Sequence, residues 1–172
     1  MLVQLMYASR AIPAVDQEEL HAILQRSKAH NPTVGVTGVL CFSGGIFLQV
    51  LEGSRSAVNR LYNRIVVDAR HSDVELLLYN EIKERQFAGW SMGQVNMARL
   101  NPSLLLRYSA TATLDPYAVS GEVSMSLFKE LVATAWKRLQ DDPELQGLKD
   151  QLERLRPVLQ DMLVEQIGKL KE

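Results

Sequence analysis

The sequence has a single cysteine, Cys41, among its 172 residues. One cysteine excludes an internal disulfide framework and a cysteine-rich metal site, and it fits a reducing compartment. Long hydrophobic runs are also lacking, since no stretch approaches the ~18 apolar residues that a membrane helix needs. The first residues form too short an apolar run for a signal peptide and have no basic front. We therefore expect a cytoplasmic protein without a membrane partner.

An excess of charge of either sign is missing as well. Nineteen Lys and Arg residues face twenty Asp and Glu residues, which gives a formal net charge of -1. No basic patch dominates, so a nucleic-acid partner is not expected. Hydrophobic residues make up 47% and charged residues 23% of the chain, which is typical of a globular domain with its own core.

The spacing of apolar residues predicts the element order β-α-β-β-α-β, followed by a short strand. Strands are expected over residues 2–8, 36–42, 46–51 and 74–82, with a short fifth strand between 90 and 95. A helix is expected over residues 17–30, with Asp16 as its N-cap and Glu19 completing a capping box. Ser54 or Ser56 should cap the second helix. The fold class is thus α+β, a ferredoxin-like βαββαβ(β) sandwich with both helices on one sheet face.

The other sheet face would carry apolar side chains such as Met6, Leu48 and Val50, and it needs a cover. Helical patterns in the last third of the chain could supply that cover. We expect a domain over residues 1–95, a linker of short elements over 96–123 and a C-terminal helical extension over 124–172. Leucines at heptad-like spacing in the extension leave a dimer seam as the competing use.

Two polar residues stand on strand faces that should be apolar. Tyr7 in the first strand and Gln49 in the third would meet on the helix-covered face if those strands are neighbours. A buried amide without partners would cost roughly 1–3 kcal/mol, so the pair is expected to form a hydrogen bond. A purely structural hydrogen bond between them is one explanation that the pattern leaves open.

A flat heterocycle between the two helices is the other explanation. Asn31 and Gln49 would then meet its polar edge, while Ile23 and Ile65 would lie against its faces. A phosphorylated tail would meet Arg70 near the end of the second helix, where Asp68 and His71 also stand in the sequence. Without a ligand, Asn31 would be a helix C-cap and the polar group a solvated helix end.

Short motifs link these candidates in a fixed order. They are Y-x-S at 7–9, His30-Asn31, T-G-V-L at 37–40, F-L-Q-V-L-E-G at 47–53, L-Y at 61–62, D-x-R-H at 68–71 and W-S-M-G at 90–93. Together they resemble the BLUF family of flavin photoreceptors, and the resemblance covers residues 1–95. It implies a noncovalently bound flavin, usually FAD, with FMN also open.

The resemblance also implies a role for each candidate residue. Tyr7 would be the light-driven electron and proton donor, and Gln49 would bridge it to the flavin and change its hydrogen bonds. The cofactor-binding residues would be Ile23, His30, Asn31, Gln49, Ile65, Asp68, Arg70 and His71. Trp90 and Met92 would relay the signal outward, and Ser9 would bond Trp90.

A protein of this type is not expected to be an enzyme. The resemblance implies that it acts through an unknown partner protein or through its own oligomeric state, as a dimer or larger homo-oligomer. The competing hypotheses are a small flavin redox enzyme or hydrolase on the same fold, and a light-insensitive interaction module. A flavoprotein would be coloured, and only a sensor would respond reversibly to light.

Overall fold

The structure, a computed structural model, describes residues 1–13, 15–89, 92–96, 102–112 and 115–141. The strands are β1 (Leu2–Ala11), β2 (Thr37–Ser43), β3 (Ile46–Ser54), β4 (His71–Ile82) and β5 (Gly93–Asn96). The helices are α1 (Gln17–His30), α2 (Arg55–Val66), α3 (Pro102–Leu106) and α4 (Gly121–Asp141), and a 3₁₀ turn spans Asn31–Val34. Met1–Val132 form one compact unit, and a second unit begins at Ala133 within α4.

The strands form one sheet in the order β4-β1-β3-β2-β5. β1 pairs antiparallel with β3 and β4, β2 pairs antiparallel with β3, and β5 runs parallel to β2. The predicted ferredoxin-like arrangement is confirmed. β1 is longer than predicted because Ser9 and Arg10, which are not apolar, still pair with Phe47 and Ile46 of β3.

Local signals start and stop the helices largely where the sequence predicted. Asp16 caps α1 by accepting a hydrogen bond from the Glu19 amide at 2.9 Å. The Glu19 carboxylate, which was predicted to complete a capping box, accepts a hydrogen bond from Arg70 at 2.9 Å. Ser54 is the residue that caps α2, through a 3.3 Å bond from the Ala57 amide.

The end of α2 differs from the prediction. The sequence suggested that Asp68, Arg70 and His71 form the end of this helix, but the helix stops at Val66. Asp68 and Arg70 lie in the following turn, and His71 is the first residue of β4, where it pairs with Ala11. The prediction was wrong because pairing with β1, a long-range contact, extends β4 beyond its apolar residues.

The two helices cover one face of the sheet, as predicted. That face carries Val3, Leu5, Tyr7, Leu40, Phe47 and Leu51 from the strands, packed with Leu20 and Leu24 of α1 and with Ala57 and Val58 of α2. Strand residues alternate between faces, so the odd-numbered positions of β1 point to the helices.

The opposite face is also buried. Met6, Leu48 and Val50 are fully inaccessible to solvent. Cys41 is equally inaccessible, and burial raises the pKa of its thiol. α4 lies so close to β4 at Gly121 that an added Cβ atom would fall 2.0 Å from the Leu77 carbonyl oxygen. This helix begins earlier than the predicted boundary at residue 124, and α3 lies in the predicted linker. The predicted helices beyond residue 141 lie outside the described residues, so the domain boundaries remain a prediction.

Candidate functional site

A cavity of about 320 Å³ opens where α1 and α2 meet the sheet. Ten of the residues singled out in the sequence line it: Tyr7, Ile23, His30, Asn31, Gln49, Ile65, Asp68, Arg70, His71 and Met92. The structure therefore brings every predicted cofactor-binding residue to one site. Ser9 is buried next to this group, whereas Trp90 lies outside the described residues.

A chain of hydrogen bonds forms one wall of the cavity. Tyr7 and Gln49 are cross-strand partners on β1 and β3. The Tyr7 hydroxyl donates to Gln49 Oε1 at 2.5 Å, and Gln49 Nε2 donates to Met92 Sδ at 3.1 Å. All three side chains are at least 95% buried. Both ends of the glutamine amide are thus engaged, one with each neighbour.

Burial keeps the Tyr7 phenol protonated. Desolvation raises the pKa of Tyr7 far above that of a free tyrosine, and the nearby Tyr62 and Asp68 raise it further. The Tyr62 ring lies 5.6 Å from the Tyr7 ring at an interplanar angle of 55°. Simple deprotonation is therefore disfavoured at Tyr7. Loss of an electron would make the phenol strongly acidic, and the hydrogen bond would then direct its proton to Gln49.

A charged cluster stands at one end of the cavity. Arg70 donates from Nε to Asp68 Oδ1 at 2.9 Å, from Nη2 to Asp68 Oδ2 at 2.5 Å, and from Nη1 to Glu19 Oε1 at 2.9 Å. These bonds tie the start of α1 to the turn before β4. They hold the pKa of the Asp68 carboxyl at about 2, below its ordinary value of 3.8, while they raise the pKa of Arg70.

This pairing predicts a specific loss of stability in acid. Because the folded-state pKa of Asp68 is lowered, its contribution is complete above its unfolded pKa of 3.8 and is lost as the pH falls towards about 2. The side chain is 28% exposed, so solvent screening limits the contribution to about 1 kcal/mol. Denaturant unfolding of wild type and Asp68→Asn should therefore differ at pH 6 and converge near pH 2.

Asp73→Asn provides a matched control. Asp73 forms a 3.5 Å ion pair with Arg10, and its side chain is 64% exposed. An exposed pair of this kind contributes little to stability. If Asp73→Asn reproduced the pH dependence of Asp68→Asn, the effect would come from net charge and the assignment to the Arg70 pair would be wrong.

His71 links the cavity to β1. Its Nε2 lies 2.8 Å from the Ile65 carbonyl oxygen, which can only accept, so Nε2 carries the hydrogen. Its Nδ1 then accepts from the Ser9 hydroxyl at 2.7 Å. Ser9 was expected to bond Trp90, and that contact stays a prediction because Trp90 is not among the described residues.

Six further residues, which the sequence reasoning did not assign to the site, also line the cavity. They are Arg26, Ser27, Leu40, Phe47, Leu61 and Arg64. A helical signal could have found four of them. Arg26 and Ser27 follow Ile23 at the i+3 and i+4 spacing, and Arg64 and Ile65 follow Leu61 at the same two spacings. Arg64 Nη2 lies 3.3 Å from His30 Nε2, so the two helices meet through polar side chains.

The residues present fit a flavin. The cavity volume lies within the range of small-molecule sites. Ile23 and Ile65 offer apolar surface from two different helices, and Asn31 and Gln49 offer amide groups for a ring with polar edges. Arginine side chains at the opening suit an anionic tail.

Comparison with known proteins decides the family. The family model described as BLUF, sensors of blue-light using FAD, matches residues 2–93. The chain belongs to the BLUF family. This family comprises blue-light sensors that bind flavin, FAD or FMN. The BLUF match ends at the start of β5, so residues 94–172 are not covered by it.

Individual BLUF proteins agree with this assignment. A photoactivated adenylate cyclase subunit beta from Euglena longa is 35% identical over 92 residues, which are 53% of this chain and 11% of that protein. The dark-state structure of BlrB, a BLUF protein, is 35% identical with a TM-score of 0.57 and covers 60% of this chain and 80% of BlrB. BlsA in its photo-activated state is 29% identical with a TM-score of 0.70 and covers 76% of this chain and 94% of BlsA.

The chain thus spans about a tenth of the length of its curated cyclase relatives, and the shared part is the BLUF domain. The likeness to BlsA extends over a larger share of this chain than the family match does. Within the part of the chain that the structure describes, no helix is long and apolar enough to cross a membrane.

Proposed function

We propose that this protein is a cytoplasmic blue-light photoreceptor that holds FAD between α1 and α2 and signals without catalysing a reaction itself. The observation that carries the proposal is the buried chain from Tyr7 through Gln49 to Met92 on the cavity wall. It joins an oxidisable phenol to an amide with two different ends, and it places both beside a space that suits a flavin.

Different lining residues bind different parts of the flavin. Ile23 and Ile65 flank the flat ring, and Asn31 with Gln49 meets its polar edge. His30, Asp68, Arg70 and His71 lie towards its outer end and tail. FMN would use the same ring contacts, because the two flavins differ only beyond the first phosphate. FAD is preferred here because the matched family is described as using it.

The photochemistry follows from the hydrogen bonds. Bound flavin supplies blue-light absorption and an excited state that accepts an electron. With flavin bound, Tyr7 would give up one electron, and its phenolic proton would move along the hydrogen bond to Gln49 Oε1. After the electron and the proton had returned to Tyr7, the Gln49 amide would be left with rearranged hydrogen bonds. A stronger hydrogen bond to the flavin carbonyl would then shift its absorption slightly to the red.

The output would pass through the contacts of Met92. This residue immediately precedes β5, which pairs with β2 at the edge of the sheet. A change in the Gln49–Met92 bond therefore reaches a sheet edge rather than the centre of the core. We propose that residues 124–172, which include most of α4, carry the change to a partner protein or to another copy of this chain.

An absorption spectrum of the purified protein, before and after blue light, tests this function. We expect a flavin spectrum that shifts to the red by some nanometres and recovers fully in the dark. Release of the flavin by denaturation and chromatography would identify FAD or FMN. A flavin that bleaches irreversibly would favour a redox enzyme, and protein without flavin after reconstitution would leave only an interaction module.

A further inference from the structure

Glu52 is a buried acidic residue on the strand that carries Gln49. It is completely inaccessible to solvent and lies on the opposite face of β3 from Gln49, three positions along the strand. A buried carboxylate is costly unless hydrogen bonds satisfy it. The photochemistry described above makes no use of Glu52, although the residue belongs to the F-L-Q-V-L-E-G motif.

Three donors satisfy this carboxylate. Glu52 Oε1 accepts from Gln4 Nε2 at 2.7 Å and from the Gln86 amide at 3.2 Å, and Oε2 accepts from the Phe87 amide at 2.9 Å. The two amides belong to consecutive residues in the segment 83–89, which follows β4. We call this segment the connecting segment. Its backbone is therefore bound directly to a side chain of β3.

Arg85 adds a second attachment for the same segment. Its guanidinium donates to the carbonyl oxygens of Glu52 at 3.1 Å and Gly35 at 2.6 Å, and to Thr37 Oγ1 at 2.9 Å. Three successive residues of the connecting segment, 85–87, are thus tied to β2, β3 and the turn between α1 and β2.

The connecting segment contacts α4, and Met92 of the cavity wall follows it in the chain. The Met92 sulfur accepts the Gln49 amide hydrogen. Phe87 is 95% buried and packs edge-on against Phe128 of α4, with ring centroids 5.8 Å apart. Phe87, which contacts α4, and Met92, which contacts Gln49, are thus five positions apart in the sequence.

We propose that Glu52 is the positioning residue of the connecting segment: it holds Met92 on Gln49 in the dark and transmits displacement of the segment to α4 through Phe87 and Phe128. This inference rests on the proposed function. Its physical basis is that charge-assisted hydrogen bonds to backbone amides are about twice as strong as neutral ones, so they favour a single position of the segment. Glu52 thereby drives the return of the Gln49–Met92 contact after light.

Glu52→Gln tests the role with little change in shape. One carboxylate oxygen becomes an NH₂ group, which cannot accept the hydrogen bonds made to the carboxylate. Amide hydrogen exchange at Gln86 and Phe87 in the dark should become about tenfold faster, since bonds to a charged acceptor are among the strongest. The red shift should keep its size, because Tyr7 and Gln49 are intact. Its dark recovery should slow by about threefold to tenfold, because the dark position is less favoured.

A third measurement tests transmission to α4. Light should change amide exchange in residues 122–131 of the wild type, and this light-minus-dark difference should shrink in Glu52→Gln. Glu75→Gln, an exposed change on β4, is the control and should match the wild type in all three measurements. If Glu52→Gln does not fold, Arg85→Gln removes the second attachment and should change exchange and recovery in the same directions.

The outcomes separate this inference from the proposed function. Wild-type protein without a reversible red shift would overturn the proposed function itself. If the wild type shifts normally and the Glu52 variant shows faster exchange but unchanged recovery and unchanged α4 response, then Glu52 is merely structural. Unchanged exchange at Gln86 and Phe87 would overturn the inference at its first step.

Discussion

Replacing Tyr7 by Phe should abolish the light-induced red shift while flavin stays bound. The substitution removes one oxygen atom and with it the hydrogen bond to Gln49 Oε1. Phenylalanine is a far poorer electron donor than tyrosine, and it has no proton to release. The ring still fills the same space in the core, so the cost in stability should be about 1 kcal/mol, that of one buried hydrogen bond. Flavin fluorescence should also rise, because its excited state loses its electron donor.

Tyr62→Phe is the matched control for this experiment. Tyr62 is the neighbouring aromatic residue, with its ring 5.6 Å from that of Tyr7, and it is partly exposed. It is oxidisable as well, but the hydrogen bond to Gln49 Oε1 comes from Tyr7. We expect Tyr62→Phe to keep the red shift and the low fluorescence. A normal red shift in Tyr7→Phe, or its loss in Tyr62→Phe alone, would assign the donor role to Tyr62.

The fold could be predicted well because its signals are local. Strand alternation, the Asp16 cap and the Ser54 cap all act within a few residues of chain, and the structure has each of them. The prediction errors lie where contacts between residues far apart in the sequence determine the structure. The extension of β4 back to His71 depends on pairing with Ala11, sixty residues earlier, and no pattern around His71 indicates it.

The site residues were likewise predicted where a local motif marks them and missed where none does. Residues that carry a family motif, such as Asn31 and Gln49, were predicted to line the cavity, and they do. Arg26 and Arg64 were missed because an arginine on a helix usually marks a solvated face, although their helical spacing from Ile23 and Leu61 could have placed them at the cavity. Two of the three donors to Glu52 are also hidden in the sequence. They are backbone amides, which every residue has, and only the tertiary structure selects those of Gln86 and Phe87.

Replacing Gln49 by Leu should also abolish the red shift, but by a different route. Leucine has nearly the same volume and suits a strand whose neighbours are Leu48 and Val50, so the sheet should form. The Tyr7 hydroxyl and the Met92 sulfur both lose their partner. A buried hydroxyl without a hydrogen bond costs about 1–3 kcal/mol, so a measurable loss of stability to denaturant is expected.

The two variants differ in what happens to the excited state. In Gln49→Leu the phenol of Tyr7 is intact, so an electron can still reach the flavin, and flavin fluorescence should stay closer to the wild-type level than in Tyr7→Phe. No amide remains to rearrange, so no shifted spectrum should persist after excitation. Met92→Leu is the control, because it removes only the acceptor on the other side of the amide. It should preserve the red shift and change its recovery rate. If Gln49→Leu kept a reversible red shift, the stored signal would not be a hydrogen-bond change at Gln49, and the switch would have to be sought among the other groups on the cavity wall.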